Sequence, residues 1–302
     1  LLQKVRRTFQ LISQISQSVE IIRAALGRIE ARQLTTRSAE TDLSEVEFQV
    51  YSQWGEDGIL QHILRHAEVN NRMFVEFGVE NYLESNTRFL LTQRGWHGIV
   101  FDGSEKNIDF IKTDPIYWRY NLKAERAFID KENINSLLEK NGAIGEIGLL
   151  SIDIDGNDYW VWQSIEKIHP IVVVCEYNAI FGDAAEVTIP YDPIFERRRG
   201  HYSNRYFGAS LAALTRLAKN KGYALVGVNS NGCNAFFVKE KFLGRLKEKS
   251  CQEVFQQASF RDTRNIDGKL NFISQQEGLS LISHLPIVDL SDGKTKVIRE
   301  IF

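Results

Sequence analysis

The sequence has little of several features that would fix its class outright. Cysteine occurs three times in 302 residues, at Cys175, Cys233 and Cys251. The odd count and the absence of metal-ligand spacing exclude a disulfide framework and a cysteine zinc site. They fit reduced thiols in a cytosolic protein, with Cys175 of "IVVVCEYN" as a small buried side chain. No apolar run approaches the roughly 20 residues of a membrane span. Neither sign of charge dominates, since 37 basic residues face 39 acidic ones for a net charge of -2. That balance argues against nucleic acid as a partner, because such binding needs a basic face to displace counterions. There is no internal repeat, no low-complexity tract and no G-x-G-x-x-G run.

What is present is the composition of a soluble globular protein, 43% hydrophobic and 25% charged. The length suits one large α/β domain with an appendage, or two small domains. The expected location is the cytoplasm, with peripheral association at the inner face of a membrane compatible with the same composition. The sequence opens at Leu1 rather than Met, so an upstream segment is expected.

The first segment differs from the rest. Apolar residues at Leu2, Val5, Phe9, Ile12, Ile15, Val19, Ile22, Leu26 and Ile29 follow a mostly alternating three-four spacing. The stripe predicts an amphipathic helix over residues 1–33, roughly 45 Å long at 1.5 Å per residue. Two readings are open: a coiled coil that makes the protein a homo-oligomer, or a helix lying on its own domain. Polar residues 34–47 read as a linker, and 48–302 as the main domain.

From there the pattern becomes short β-rich runs separated by helical stretches. Strands are predicted at 72–78, 97–103, 124–130, 147–155 and 171–178, with helices near 56–67, 83–94, 131–141 and 158–168. Apolar runs that do not alternate imply strands covered on both faces, hence a parallel sheet with crossover helices. After a long connection, 179–206, come a helix from about 209 to 221 and two strands, 223–229 and 234–239. These flank "SNGC" as a hairpin. The fold class is therefore α/β, a Rossmann-like doubly wound sheet with a reversed edge strand.

In such a sheet ligands bind beyond the carboxyl ends of the strands. Glu76 and Gly78 end the first strand. A lone glycine there disfavours a dinucleotide but accommodates a nucleoside carrying less phosphate. Asp102 ends the second strand 24 positions after Gly78, near the spacing at which an acid meets ribose hydroxyls, although it could also cap a helix. Asp130 ends the third, with capping of the next helix as the simpler role. The stretch "LLSIDIDGNDYW" (149–160) carries Asp153, Asp155, Asn157 and Asp158, more acids than one helix cap needs. Asp155, Glu176 and Asn178 offer three hard oxygen ligands on adjacent strand ends, suited to Mg²⁺. The alternative is that Asp158 or Asn157 caps the helix and Glu176 pairs with an arginine of the long loop. That loop carries Tyr191, Arg197, Arg198, Arg199, His201, Tyr202 and Arg205, a mixture suited to a polyhydroxyl or anionic substrate, with His201 as a candidate general base.

With these residues placed, the sequence resembles class I S-adenosylmethionine-dependent methyltransferases of the FkbM-like group, in particular members from bacterial glycan loci. The matching stretches are "YSQWGEDGIL" (51–60), "FVEFGVENYLESNTRFLL" (74–91), "GIVFDGS" (98–104), "LLSIDIDGNDYWVW" (149–162), "VVVCEYNAIFG" (172–182) and "FGASLAAL" (207–214), with "FRDTRN" (260–265) matching more loosely. The resemblance implies strand order 3-2-1-4-5-7-6 with the last strand antiparallel, and methyl transfer to a sugar hydroxyl of a glycan or polysaccharide. It implies S-adenosylmethionine as cofactor, held by Gln53, Asp57, Glu76, Gly78, Ser85, Asn86, Asp102, Asp130 and Asp153. It further implies Mg²⁺ on Asp155, Glu176 and Asn178, and acceptor contacts from Tyr191, Arg198, Tyr202 and Arg205. His201 would be the base, with Asp155 second. The glycine-rich first loop usual in methyltransferases is reduced here to "EFGVENY". Two rival readings are a metal-dependent glycosyltransferase using Asp153-Ile154-Asp155 as a D-x-D motif, and a non-catalytic glycan-binding scaffold.

Overall fold

The computed structural model describes residues 2–259 and 263–302, leaving Leu1 and the first half of "FRDTRN" outside. The chain opens with α1 (Leu2–Gln33), a single helix. Its last third docks through small side chains: Ala24 and Ala31 are buried, and a Cβ on Gly27 would lie 2.4 Å from a Val50 methyl. Arg23 donates to the Val50 carbonyl, and Arg28 to Gln93 at 2.6 Å. Residues 34–47 are polar in sequence but do not hang free. Two 3-10 turns bury Leu34, Leu43 and Val46, the few apolar groups of that stretch, against the domain.

The domain then alternates helix and strand through α2 (Glu56–His66), β1 (Met73–Phe77), α3 (Arg88–Arg94), β2 (His97–Asp102), α4 (Glu105–Thr113), α5 (Pro115–Arg119) and β3 (Leu122–Arg126). It continues through α6 (Ile134–Asn141), β4 (Gly145–Ile152), α7 (Asp158–Ser164), β5 (Ile168–Glu176), β6 (Val187–Thr188) and α8 (Arg197–Gly200). Then follow α9 (Leu211–Asn220), β7 (Tyr223–Val228), β8 (Asn234–Lys239), α10 (Cys251–Val254), α11 (Gln275–Ile282), β9 (Pro286–Asp289) and β10 (Lys294–Val297). Seven strands form one sheet in the order β3-β2-β1-β4-β5-β8-β7, with β8 antiparallel to both neighbours. Counted without the two-residue β6, which belongs to a small sheet with β9 and β10, this is the expected order 3-2-1-4-5-7-6.

Burial on both faces explains the unbroken apolar runs. In β1 and β2, Val75, Phe77, Ile99 and Phe101 point to the face covered by α6, α7 and α9. Phe74 and Val100 point to the face covered by α2, α3 and α4. The third strand is shorter than expected: β3 stops at Arg126, and residues 127–129 turn across the top of the sheet to line a cavity. Helices α4 and α5 and the small sheet were not anticipated. The small sheet is stitched together by strands of two and four residues, too short for a periodic signal. All three cysteines are free and buried. Among the described residues no helix is long and apolar enough to cross a membrane.

Candidate active site

The sheet order reverses at β1 and β4, and there the strand ends nearly touch. Gly78 has φ +71°, and a Cβ added to it would sit 1.6 Å from the Asp153 carbonyl oxygen. Only glycine fits this approach and this backbone. Above the junction opens a cavity of about 1240 Å³. Into it the strand ends bring Glu76 and Gly78, Asp102, Asp153 and Asp155, and Glu176, while loops add Gln53, Ser85, Asn86 and Arg198.

At the β1 end, Glu76 is a buried anchor. Its carboxylate accepts the Asn86 N–H at 2.8 Å and the Thr87 N–H at 3.2 Å, which fixes the start of α3 beside the cavity. Burial pushes its pKa up to about 7 against those hydrogen bonds. Asn86 donates to the Ser151 hydroxyl at 3.0 Å, and the Ser85 hydroxyl accepts the Arg88 N–H at 3.1 Å. At the β2 end, Asp102 Oδ1 accepts from the Ser104 N–H at 2.8 Å and from Asn107 at 3.0 Å, so the carboxylate is held in one orientation at the cavity wall.

The acids of "DIDGND" divide their roles. Asp158 staples the loop, accepting the N–H groups of Ile154 and Gly156 at 2.9 Å each. Asn157 donates to the Asp192 carbonyl at 2.8 Å, so neither side chain caps α7. The staple curls Asp155 into a left-handed conformation, φ +58°, which aspartate tolerates better than most residues. Gly156 leaves room for the Phe195 ring, which a Cβ would meet at 2.3 Å. As a result Asp153, Asp155 and Glu176 present carboxylate oxygens within 4.8 Å of one another.

Arg197 faces this triad, with Nη1 3.1 Å from Asp155 and 3.5 Å from Glu176. The pairing of Glu176 with a loop arginine is thus realised. The second Glu176 oxygen, Oε2, is buried with no hydrogen-bond partner among the described residues. Burial, and then the charge of Asp155, hold Asp153 well above the usual carboxylate range. Burial and the charge of Asp153 do the same to Glu176, with Arg197 opposing in both cases. Burial pushes Asp158 up to about 6. One guanidinium does not neutralise this group of acids, so the arrangement is a ready acceptor of cations and protons.

Several expected site residues lie elsewhere. Asn178 turns its side chain to the backbone: its amide donates to the carbonyls of Arg205 and Phe207 and its oxygen accepts the Ile180 N–H, while Asp153 stands with Asp155 and Glu176. Asp57 is buried and does not line the cavity; one of its oxygens accepts the N–H groups of Val50, Tyr51 and Ser52. Asp130 exchanges hydrogen bonds with Asn133 just before α6, the capping role, because the strand ended four residues earlier. His201 pairs with Ser203 at 2.7 Å and packs on Tyr202, outside the cavity lining. Tyr202 and Arg205 follow it away from the cavity, and Tyr191 bonds Glu132 and covers Lys131. Arg197 was named in the sequence only as one of the loop's cations, and lining residues the sequence did not single out include Phe128, Asn231 and Asn234. Only the hairpin amides carried a signal, standing beside the turn next to the Glu176 strand.

No protein-family model matches the sequence, and no curated protein matches it. Among solved structures the chain is similar to the N-terminal domain of EvdMO1 with SAH bound, at 12% identity over 73% of this chain and 97% of that one, TM-score 0.40. It is also similar to the O-methyltransferase from Bacillus cereus in complex with SAH, at 14% identity over 58% and 76%, TM-score 0.33. A putative caffeoyl-CoA O-methyltransferase from Staphylococcus aureus matches at 14% identity over 65% and 86%, TM-score 0.40.

Proposed function

We propose that the protein is an S-adenosylmethionine-dependent O-methyltransferase of the FkbM-like type, methylating a sugar hydroxyl of a glycan or polysaccharide with divalent-metal assistance. The observation that carries this reading is the meeting of Asp102 and the Asp153, Asp155 and Glu176 triad in one cavity at the switch point of the sheet. A volume of about 1240 Å³ exceeds the roughly 300–1,000 Å³ of a single-ligand pocket, which leaves room for cofactor and acceptor together. The ribose role of Asp102 is supported by its fixed orientation at the cavity wall, held by Ser104 and Asn107. Phe128 and Phe195 offer apolar faces for a sugar ring, and Arg198 offers a fork for an anionic substituent.

The residues fit a divalent cation, since Glu176 Oε2 is a buried, unpartnered acceptor beside two further carboxylates. A cation held by Asp153, Asp155 and Glu176 would supply Lewis acidity that lowers the pKa of an acceptor hydroxyl. The remaining work falls to the chain itself. The cavity walls hold the hydroxyl in line with the methyl group. Asp155 takes its proton as the new O–C bond forms and the C–S bond of the sulfonium breaks. The glycosyltransferase reading leaves Asp102 without a role.

The test is isothermal titration of the purified protein with S-adenosylmethionine and S-adenosylhomocysteine, with and without Mg²⁺, repeated on Asp102→Asn. Micromolar binding, weakened about 10- to 100-fold by the loss of charge-assisted hydrogen bonds, is expected. Absence of binding under every metal condition overturns the reading.

A further inference from the structure

Helix α1 has two apolar faces of different character. Ala24, Gly27 and Ala31 pack on the domain. Val5, Ile12, Ile15, Val19, Ile22, Leu26 and Ile29 stand in solvent, each between 45% and 62% exposed. Residues 3–8 and 10–19 are all exposed, so half of the helix stands clear of its own domain. A helix in that position gains nothing from tertiary packing and leaves a continuous apolar stripe wet.

The stripe has a seven-residue repeat. Val5, Ile12, Val19 and Leu26 fall on one position, and Thr8, Ile15, Ile22 and Ile29 on the position three further along, the a and d sites of a coiled coil. In that frame Ala24 and Ala31 are at f and Gly27 at b, on the outer surface. The domain therefore sits on the b and f side of the helix and reaches the flank at e through Arg23, which donates to the Val50 carbonyl, while the a and d seam itself is turned away from it.

Charge selects the direction. In a parallel, in-register assembly the flanking g and e positions pair Lys4 with Phe9, Leu11 with Ser16, Ser18 with Arg23 and Ala25 with Glu30, with no like charges opposed. Antiparallel pairing over the same length sets Lys4 against Arg32 at both ends. Side-chain shape selects the number, because isoleucine at d disfavours two strands, and β-branched Val5, Ile12 and Val19 at a, rather than the leucines that with isoleucine at d favour four, leave three. We propose that α1 self-associates with two further copies of this chain as a parallel, in-register trimeric coiled coil, holding three catalytic domains on its outer face.

The test uses the full chain. Sedimentation velocity at tens of micromolar should give three times the 34.7 kDa chain mass. The Ile15→Asp, Ile22→Asp double variant should run as a single chain while keeping the domain's thermal transition, since both side chains point away from the domain. Thr8→Cys should form an interchain disulfide on mild oxidation, because only a parallel register brings position 8 against itself and the native thiols are buried. A one-chain or two-chain mass for the wild type, an unchanged mass for the double variant, or no disulfide overturns the proposal. So does co-sedimentation of a single-chain species with vesicles of phosphatidylglycerol and phosphatidylcholine, which would assign the stripe and the nearby Lys4, Arg6 and Arg7 to a lipid surface.

Discussion

Arg197 Nη1 stands 3.1 Å from Asp155 Oδ1 and occupies the mouth of the carboxylate triad. The guanidinium is not a loose surface charge. Its Nε donates to the Asn204 carbonyl at 3.1 Å, and its plane lies 3.6 Å from the centre of the Phe207 ring. An arginine held this way supplies one positive charge to a cluster of three acids, so a divalent cation bound there would compete with it for the same oxygens. Arg197→Gln should therefore raise Mn²⁺ affinity by roughly tenfold, a fraction of the full Coulomb interaction at such distances. Titration calorimetry with Mn²⁺ alone checks this, and equal or weaker binding would rule out the competition.

Gly78, just past the end of β1, is packed against the chain just past the end of β4. A methyl group there collides with the Asp153 carbonyl at 1.6 Å, and the backbone at φ +71° is strained for any L side chain. Gly78→Ala should destabilise the protein by about 3 kcal/mol or more, the range of overpacking combined with backbone strain. Urea unfolding measures it, and a loss below about 1 kcal/mol would show that the two strand ends separate readily.

The architecture was legible because buried parallel strands leave a strong mark. Runs such as "LLSI" and "IVVV" mark a sheet covered on both faces, and the acids that follow them mark strand ends. The strand-end acids Glu76, Asp102, Asp155 and Glu176 all reach the cavity for that reason. Residues on loops behaved differently. Nothing in "RRRGHYSNR" distinguishes Arg197, which turns inward, from His201 and Arg205, which do not. That choice is made by Phe195 seating on Gly156 and by the carbonyl of Asn204, contacts between positions far apart or between side chain and backbone. Asn178 looked like a ligand because it follows Glu176, yet the carbonyls of Arg205 and Phe207, distant in sequence, claim its amide.

Asp57 shows how a buried acid in a matching motif can serve the fold instead. One oxygen accepts three backbone N–H groups, and burial still pushes its pKa up to about 6 from 3.8. The raised value means that the folded state holds the proton between about pH 4 and 6 while the unfolded state does not. This contribution to stability is thus fully present below pH 4 and is lost as pH rises through 6, by up to about 3 kcal/mol. Asp57→Asn keeps the acceptor and should lack this pH dependence, whereas Asp57→Ala strands three N–H groups and should cost about 3 kcal/mol or more at any pH. Denaturant titrations at pH 4 and 8 decide it, and parallel profiles for wild type and Asp57→Asn would place the titrating group elsewhere.

The general base is where sequence and geometry part most clearly. His201 is the one side chain of its loop with an ordinary pKa near neutrality, but the structure turns it toward Ser203 and His284, and burial lowers its pKa. His201 does not line the cavity, and a general base has to come within hydrogen-bond reach of the proton it takes. Asp155 does line it, in contact with Arg197 and beside two acids whose pKa values burial holds high. Release of S-adenosylhomocysteine with a panel of sugar acceptors should stay within about twofold of wild type in His201→Ala. It should fall by roughly 10²–10⁴ in Asp155→Asn, the range for loss of a general base, with cofactor binding by titration retained in both. A His201→Ala enzyme that binds cofactor normally but turns over a hundredfold more slowly would mean that the loop from Glu196 to Tyr206 swings over the acceptor during the reaction. Asp155 would then be left with cation binding alone.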